Sequence, residues 1–195
     1  MDEGEPVSFS DLVKVRVEDG EGRHVGHVQD MSMDTALESP YIDCLGVHLL
    51  WTDRVSDIEL VRRVEDLVVL VPWSEVASFS EELFTLRGVH PSFPVVSAAG
   101  KRLIRRDILN KQMVDPEGNR IQRVDDVLLT GGGGRLRVAG LEVSKSLLIA
   151  SSSLRRYLAE IRRKHSSKHD SEVIPWEAIQ RIDEEAVVLG EDVRH

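Results

Sequence analysis

The sequence predicts a mainly β protein made of two tandem small β-barrels, each with a short helical insertion before a Pro-Trp strand. Three observations predict this. First, VPWSEVASFSEELFTL from Val71 and IPWEAIQRIDEEAVVL from Ile174 align without a gap at an offset of 103. Pro72 falls on Pro175, Trp73 on Trp176, Val76 on Ile179, and Glu81–Glu82 on Glu184–Glu185. Second, VEDGEGRHVGHVQDM and MVDPEGNRIQRVDDV align at an offset of 96, with Asp19 on Asp115, Gly22 on Gly118, Val28 on Val124 and Asp30 on Asp126. An internal repeat of this kind decides architecture before any local reading. Third, short β-rich runs are punctuated by turn residues at intervals of about 8–12 residues, the pattern of a small barrel.

The elements follow in order. VKVRVE alternates Val13, Val15 and Val17 with Lys14, Arg16 and Glu18, the period of a half-buried strand. DGEGR and DPEGN are turn chemistry, so each unit opens on a hairpin. LGVHLLW and RLRVAGLEVS read as the next strands, the second entered through a Gly131–Gly134 hairpin. DRVSDIELVRRVEDL sets Val55, Ile58 and Val61 on one helical face. SSSLRRYLAEIRRKH does the same with Leu154, Leu158 and Ile161, after serines suited to N-capping. Then comes a buried strand ended by proline (VVLVPW, EVIPW), a short connection, and a last strand (ELFTL, AVVL). The first barrel is placed at residues 7–87, a Pro/Gly/Ser-rich linker at 88–101, and the second barrel at 102–190. The offset grows from 96 to 103, so the second copy holds about seven extra residues in its middle.

Composition narrows the function. With 41% hydrophobic and 30% charged residues the chain is a globular mix rather than a disordered one. No apolar run approaches the ~18 residues of a membrane span. The acidic N-terminus lacks the pattern of a signal peptide, and a single cysteine, Cys44, excludes a disulfide framework; the chain is expected in the cytoplasm. A net charge of −9 opposes a general nucleic-acid or anionic-membrane surface. The exception is the stretch from Leu154 to His169, where Lys and Arg outnumber acids six to one.

The strand–D-x-x-G–strand openings (Val17 to Met31; Met113 to Val127) and the h-P-W strands with their following glutamates (Val71 to Glu75; Ile174 to Glu177), h being an apolar residue, resemble the PRC-barrel family. That is the small β-barrel of the photosynthetic reaction-centre H subunit and the ribosome maturation factors. Gly26 matches the family's second glycine; the second copy has Gln122 there, which implies a less typical hairpin. Tandem barrels of this form are also similar to the front end of bacterial magnesium-transporter-N/CBS-domain proteins. The resemblance implies a docking module without chemistry of its own.

The candidate sites are few. Pro72, Trp73, Pro175 and Trp176 read as the structural core of the repeat, since large aromatics dominate small cores. Four glycines followed by RLRV, with no helix and no Lys-Ser/Thr pair, are a hairpin and not a phosphate loop. His165 and His169 share a helical face but sit among cations; His24 and His27 are three apart on a strand and are expected on opposite faces. Cys44 reads as a buried small hydrophobe and the glutamate pairs as turn surface. No nucleophile, base and orienting partner are assembled, so neither an enzyme, a cofactor nor a metal is expected. The partner-binding candidate is the basic stripe Arg155, Arg156, Arg162, Arg163 and Lys164.

The expected function is a non-catalytic interaction or assembly module, docking on a protein partner, a second copy of itself as a homodimer, or a membrane transporter such as a magnesium-transport system. An RNA- or ribosome-associated role is the alternative, and a ligand sensor using the cleft between barrels is a third.

Overall fold

The computed structural model describes residues 6–35, 40–50, 68–90, 92–144 and 171–190, and among them the protein is mainly β. The first half runs β1 (Val7–Ser8), α1 (Phe9–Leu12), β2 (Arg16–Glu18), β3 (His24–Met33), β4 (Ile42–Leu49), β5 (Val68–Pro72), a 3-10 turn at Trp73–Glu75, β6 (Val76–Phe79) and β7 (Leu83–Leu86). The second half repeats it: β8 (Arg102–Leu103), α2 (Ile104–Asp107), β9 (Gln112–Val114), β10 (Arg120–Arg123), β11 (Asp126–Gly132), β12 (Arg135–Ser144), β13 (Ser171–Pro175), a 3-10 turn at Trp176–Ala178, β14 (Ile179–Ile182) and β15 (Ala186–Leu189). One sheet has the order β5-β4-β3-β2-β7-β6, with β8 also on β3; the others are β10-β9-β15-β14 and β1-β11-β12-β13. None of the three closes into a barrel among the described residues. Both expected helical insertions, Trp51, and the stripe Arg155, Arg156, Arg162, Arg163 and Lys164 lie outside the described residues, as do His165 and His169.

The opening hairpins are built alike. The Asp19 carboxylate accepts from the backbone N–H groups of Glu21 and Arg23, both at 3.0 Å, and Asp115 accepts from Asn119 N–H at 2.8 Å. Gly22 and Gly118 take φ of +78° and +85° in the two turns, a conformation that costs glycine nothing. Upstream, the alternation in VKVRVE does not make one strand. Lys14 stands at φ +72° and its counterpart Asn110 at +61°, and both donate N–H across the hairpin, to Val28 O and Val124 O. Strand β2 therefore starts only at Arg16. Downstream, the connection after the Pro-Trp strand carries a strand of its own, β6 or β14.

Pairing registers locate the seven extra residues. Cys44 faces Pro72 and Gly140 faces Pro175, so β4 and β12 still match at the offset of 96 while β5 and β13 match at 103. The insertion therefore falls between these strands, in residues 145–170 as against 49–67.

The Gly26/Gln122 difference explains why one half has a continuous sheet and the other two. Gly26 lies between Val17 of β2 and Leu49 of β4. A Cβ there would stand 2.2 Å from the His48 carbonyl oxygen, far inside contact distance, so only glycine lets β4 approach. In the second half the Gln122 side chain fills that place and bonds the Ser144 hydroxyl; β10 and β11 then belong to separate sheets.

The two halves are joined by reciprocal arms. Strand β1 of the first half pairs with β11 of the second (Val7↔Leu129, Ser8↔Leu128), and β8 of the second pairs with β3 of the first (Ser32↔Leu103, Met33↔Arg102). Each arm continues into one helical turn whose apolar residues, Phe9 and Leu12 or Ile104 and Ile108, are fully buried in a cluster drawing on both halves. An aspartate of the receiving strand meets each turn: Asp30 accepts from Arg105 N–H at 2.9 Å, and its counterpart Asp126 from Ser10 N–H at 3.2 Å. Each also accepts from the N–H of the next residue, Met31 or Val127. Helical turns this short leave most N-terminal donors unsatisfied, which the carboxylates answer. The Pro/Gly/Ser-rich stretch packs on the first half, with Val96 N–H donating to Leu70 O at 2.8 Å and Phe93 buried.

Candidate functional site

The same β-bulge occurs at the same place in both hairpins. His24 opposes Glu18 and His27 opposes Arg16, so three steps along β3 answer two along β2. Arg120 opposes Val114 and Arg123 opposes Gln112, again three against two. Residues two apart on a strand share a face, so the bulge brings His24 and His27 onto one face, and likewise Arg120 and Arg123. This corrects the expectation that His24 and His27 point to opposite faces. Their rings meet edge to face with centroids 4.8 Å apart.

On the first unit this makes a row across three strands, Arg16–His27–His48. Burial, then the charges of His24, His48 and Arg16, push the His27 pKa below its ordinary value. Arg16 is paired with Glu18 at 2.6 Å on the same face. Among the described residues no three His, Cys, Asp or Glu side chains group as metal ligands.

On the second unit the equivalent face carries a cleft of about 370 Å³, lined by Lys111, Gln112, Arg120, Arg123, Glu184 and Glu185 among others. Lys111 donates to the Asp183 carbonyl at 2.5 Å, and Arg123 Nη1 to the Asn110 carbonyl at 2.7 Å. Burial, followed by the charge of Arg102, pushes the Lys111 pKa down against Asp107, Asp183 and Glu184. The exposed glutamate pairs do sit on turns, as expected: Ser80 closes the first, and Asp183 the second by accepting from the N–H groups of Glu185 and Ala186.

The tryptophans are core residues: Trp73 is 5% and Trp176 6% exposed. Trp73 packs edge to face on Phe79 and Phe84 and donates Nε1–H to the Gly134 carbonyl of the other half at 3.1 Å. Pro72 and Pro175 end the strands before them. Gly133 and Gly134, both at positive φ, form the two-residue turn between β11 and β12. Cys44 is buried, and burial raises its thiol pKa, which disfavours the reactive thiolate.

Sequence reasoning did not find the arms, the aspartates that meet them, or the cations of the cleft. A signal for the arms was present: S-F-S-D-L and L-I-R-R-D-I match once one residue is inserted, with Phe9 on Ile104 and Leu12 on Ile108. Searched against protein-family models and against curated proteins, the chain matches none.

Proposed function

We propose that the chain is a tandem PRC-barrel protein acting as a non-catalytic docking module in the cytoplasm, with a protein as its partner. The observation that carries this reading is the duplicated outer face. Two units carry the same bulge at the same offset, fixed relative to one another by reciprocal arms, and so present paired platforms of positioned side chains. A rigid body with repeated faces suits recognition of a partner at two points, where the second contact gains from effective concentration. The resemblance to proteins with magnesium-transporter-N domains favours a membrane transport system as the place of docking. No helix among the described residues is long and apolar enough to cross a membrane, so on this reading attachment runs through the partner.

The test is binding of labelled protein to washed membranes and, separately, to ribosomal subunits. A docking module gives saturable binding that is lost after protease treatment of the fraction and weakened by Arg16→Glu with His27→Glu. Binding that survives protease but is lost with nuclease supports the RNA-linked role instead, as would steep salt dependence. Equal binding by wild type and variant removes the faces from the proposal.

A further inference from the structure

The cations of the second unit's cleft have no counterpart in the first. At the offset of 96, Lys111, Arg120 and Arg123 replace Val15, His24 and His27, while the glutamate pair is kept at both places. Strand order sets the layout: β10 carries both arginines, β9 supplies Gln112 beside Arg123, and β15 follows the turn that bears Glu184 and Glu185. Two strand spacings, about 10 Å, separate the arginine side from the glutamate side. Among the described residues none of the three cations is in an ion pair. Of their donors, Lys111 gives one to a carbonyl and Arg123 one; Arg120 gives none through its guanidinium. That leaves most of the thirteen or so N–H groups of two arginines and one lysine free for a ligand.

We propose that this cleft binds a small zwitterion, its oxyanion (phosphate or carboxylate) held by Arg120 and Arg123 and its ammonium by Glu184 and Glu185. Charge separation of the lining is the reason: both arginines stand on the β10 side and both glutamates on the far turn, where the Lys111 ammonium is already engaged by the Asp183 carbonyl. A simple anion would be attracted at one wall and repelled at the other, whereas a ligand charged oppositely at its two ends meets a complementary partner at each. A planar guanidinium pair suits an oxyanion through bidentate hydrogen bonds, and a cleft of about 370 Å³ has room for a small ligand. The cleft lies on the face that docking is proposed to use, but it is built from cations that only the second unit carries, and a small-ligand titration reads it apart from membrane or ribosome binding.

The experiment titrates the ¹⁵N-labelled full chain with 6-aminohexanoate, hexanoate and O-phosphoethanolamine at low ionic strength, about 20 mM, where exposed charges are least screened. The expected result is saturable shifts at β9, β10 and the 183–185 turn, with 6-aminohexanoate bound more tightly than hexanoate. O-Phosphoethanolamine reports whether phosphate serves better than carboxylate. Arg120→Gln with Arg123→Gln should weaken every ligand about tenfold or more. Glu184→Gln with Glu185→Gln should instead abolish the preference for 6-aminohexanoate over hexanoate. These residues are exposed, so unchanged melting temperatures are expected of both variants. No saturable shift up to about 10 mM, or equal affinities in wild type and the arginine variant, would overturn the proposal; the residues would then be a solvated face only.

Discussion

Replacing Asp30 with asparagine should remove a pH dependence of stability that the joint between the halves creates. The carboxyl is 6% exposed, and burial raises its pKa from 3.8 to about 6. The backbone N–H groups of Arg105, Met31 and Arg106 oppose that rise, and the nearby Asp107 charge adds to it. For an acid whose folded pKa lies above its unfolded value, the folded state holds the proton more tightly. The stabilisation is therefore complete below about pH 3.8 and is lost as pH rises through about 6. A shift of about two units corresponds to roughly 3 kcal/mol. Asparagine keeps an acceptor for the Arg105 and Met31 N–H groups but does not titrate. Urea unfolding of wild type and Asp30→Asn should be compared between about pH 4 and 7. The wild type alone does not isolate the effect, because Asp19, Asp107, Asp115 and Asp183 all have lowered pKa values and contribute the opposite slope. The difference between the two proteins does isolate it, and should move by roughly 3 kcal/mol in favour of the variant as pH rises. A difference constant within about 0.5 kcal/mol across that range would refute the reasoning.

Three further predictions concern other parts of the fold. Gly26→Ala puts a methyl 2.2 Å from the His48 carbonyl and 2.9 Å from Val47 Cγ1, so β4 must shift. A loss of about 2–3 kcal/mol, or about 5–10 °C in melting temperature, is expected by calorimetry, and a change below about 2 °C would contradict it. Asp19 behaves oppositely to Asp30: burial raises its pKa, but the Arg23 side chain and the N–H groups of Arg23, His90 and Glu21 bring the net value below the usual range. Asp19→Asn should then cost about 1.5–3 kcal/mol at pH 7, with the gap closing as pH falls below the ordinary value of 3.8; a pH-independent gap speaks against it. Cys44 should react with an aromatic disulfide reagent only after unfolding, and fast reaction of the native protein would show the thiol to be accessible.

Much of the strand order was legible because the repeat preserves residues with fixed backbone duties. Asp19 and Gly22, like Asp115 and Gly118, make the same turn wherever they occur, and the proline ends its strand in both copies. Gly26 against Gln122 marked the place where the halves differ, although the consequence, a sheet split in two, needed the approach of β4 to be seen. What stayed hidden was non-local. Two-residue strands such as Val7–Ser8 carry no periodic signal, and their partners lie at least 69 positions away in sequence. The positive φ of Lys14 overrode an alternation that otherwise reads as strand. At His24 and His27, a single bulged residue reversed the face that strict period-two counting assigns. The cleft escaped for the same reason, since its cations are gathered from β10 and the loop before β9 by pairing and not by spacing.

The two halves form one body through their exchanged arms. The direct measurement is a cut between Ala99 and Gly100, an exposed turn where Gly100 has φ +73° and open space around it. A protease site inserted there should be cleaved in the folded protein. Size-exclusion chromatography with light scattering should then show a single species of the intact mass, with two fragments appearing only under denaturing conditions. Two separate half-mass species in native buffer would contradict the account, because arms paired across the halves hold the fragments together without a covalent link.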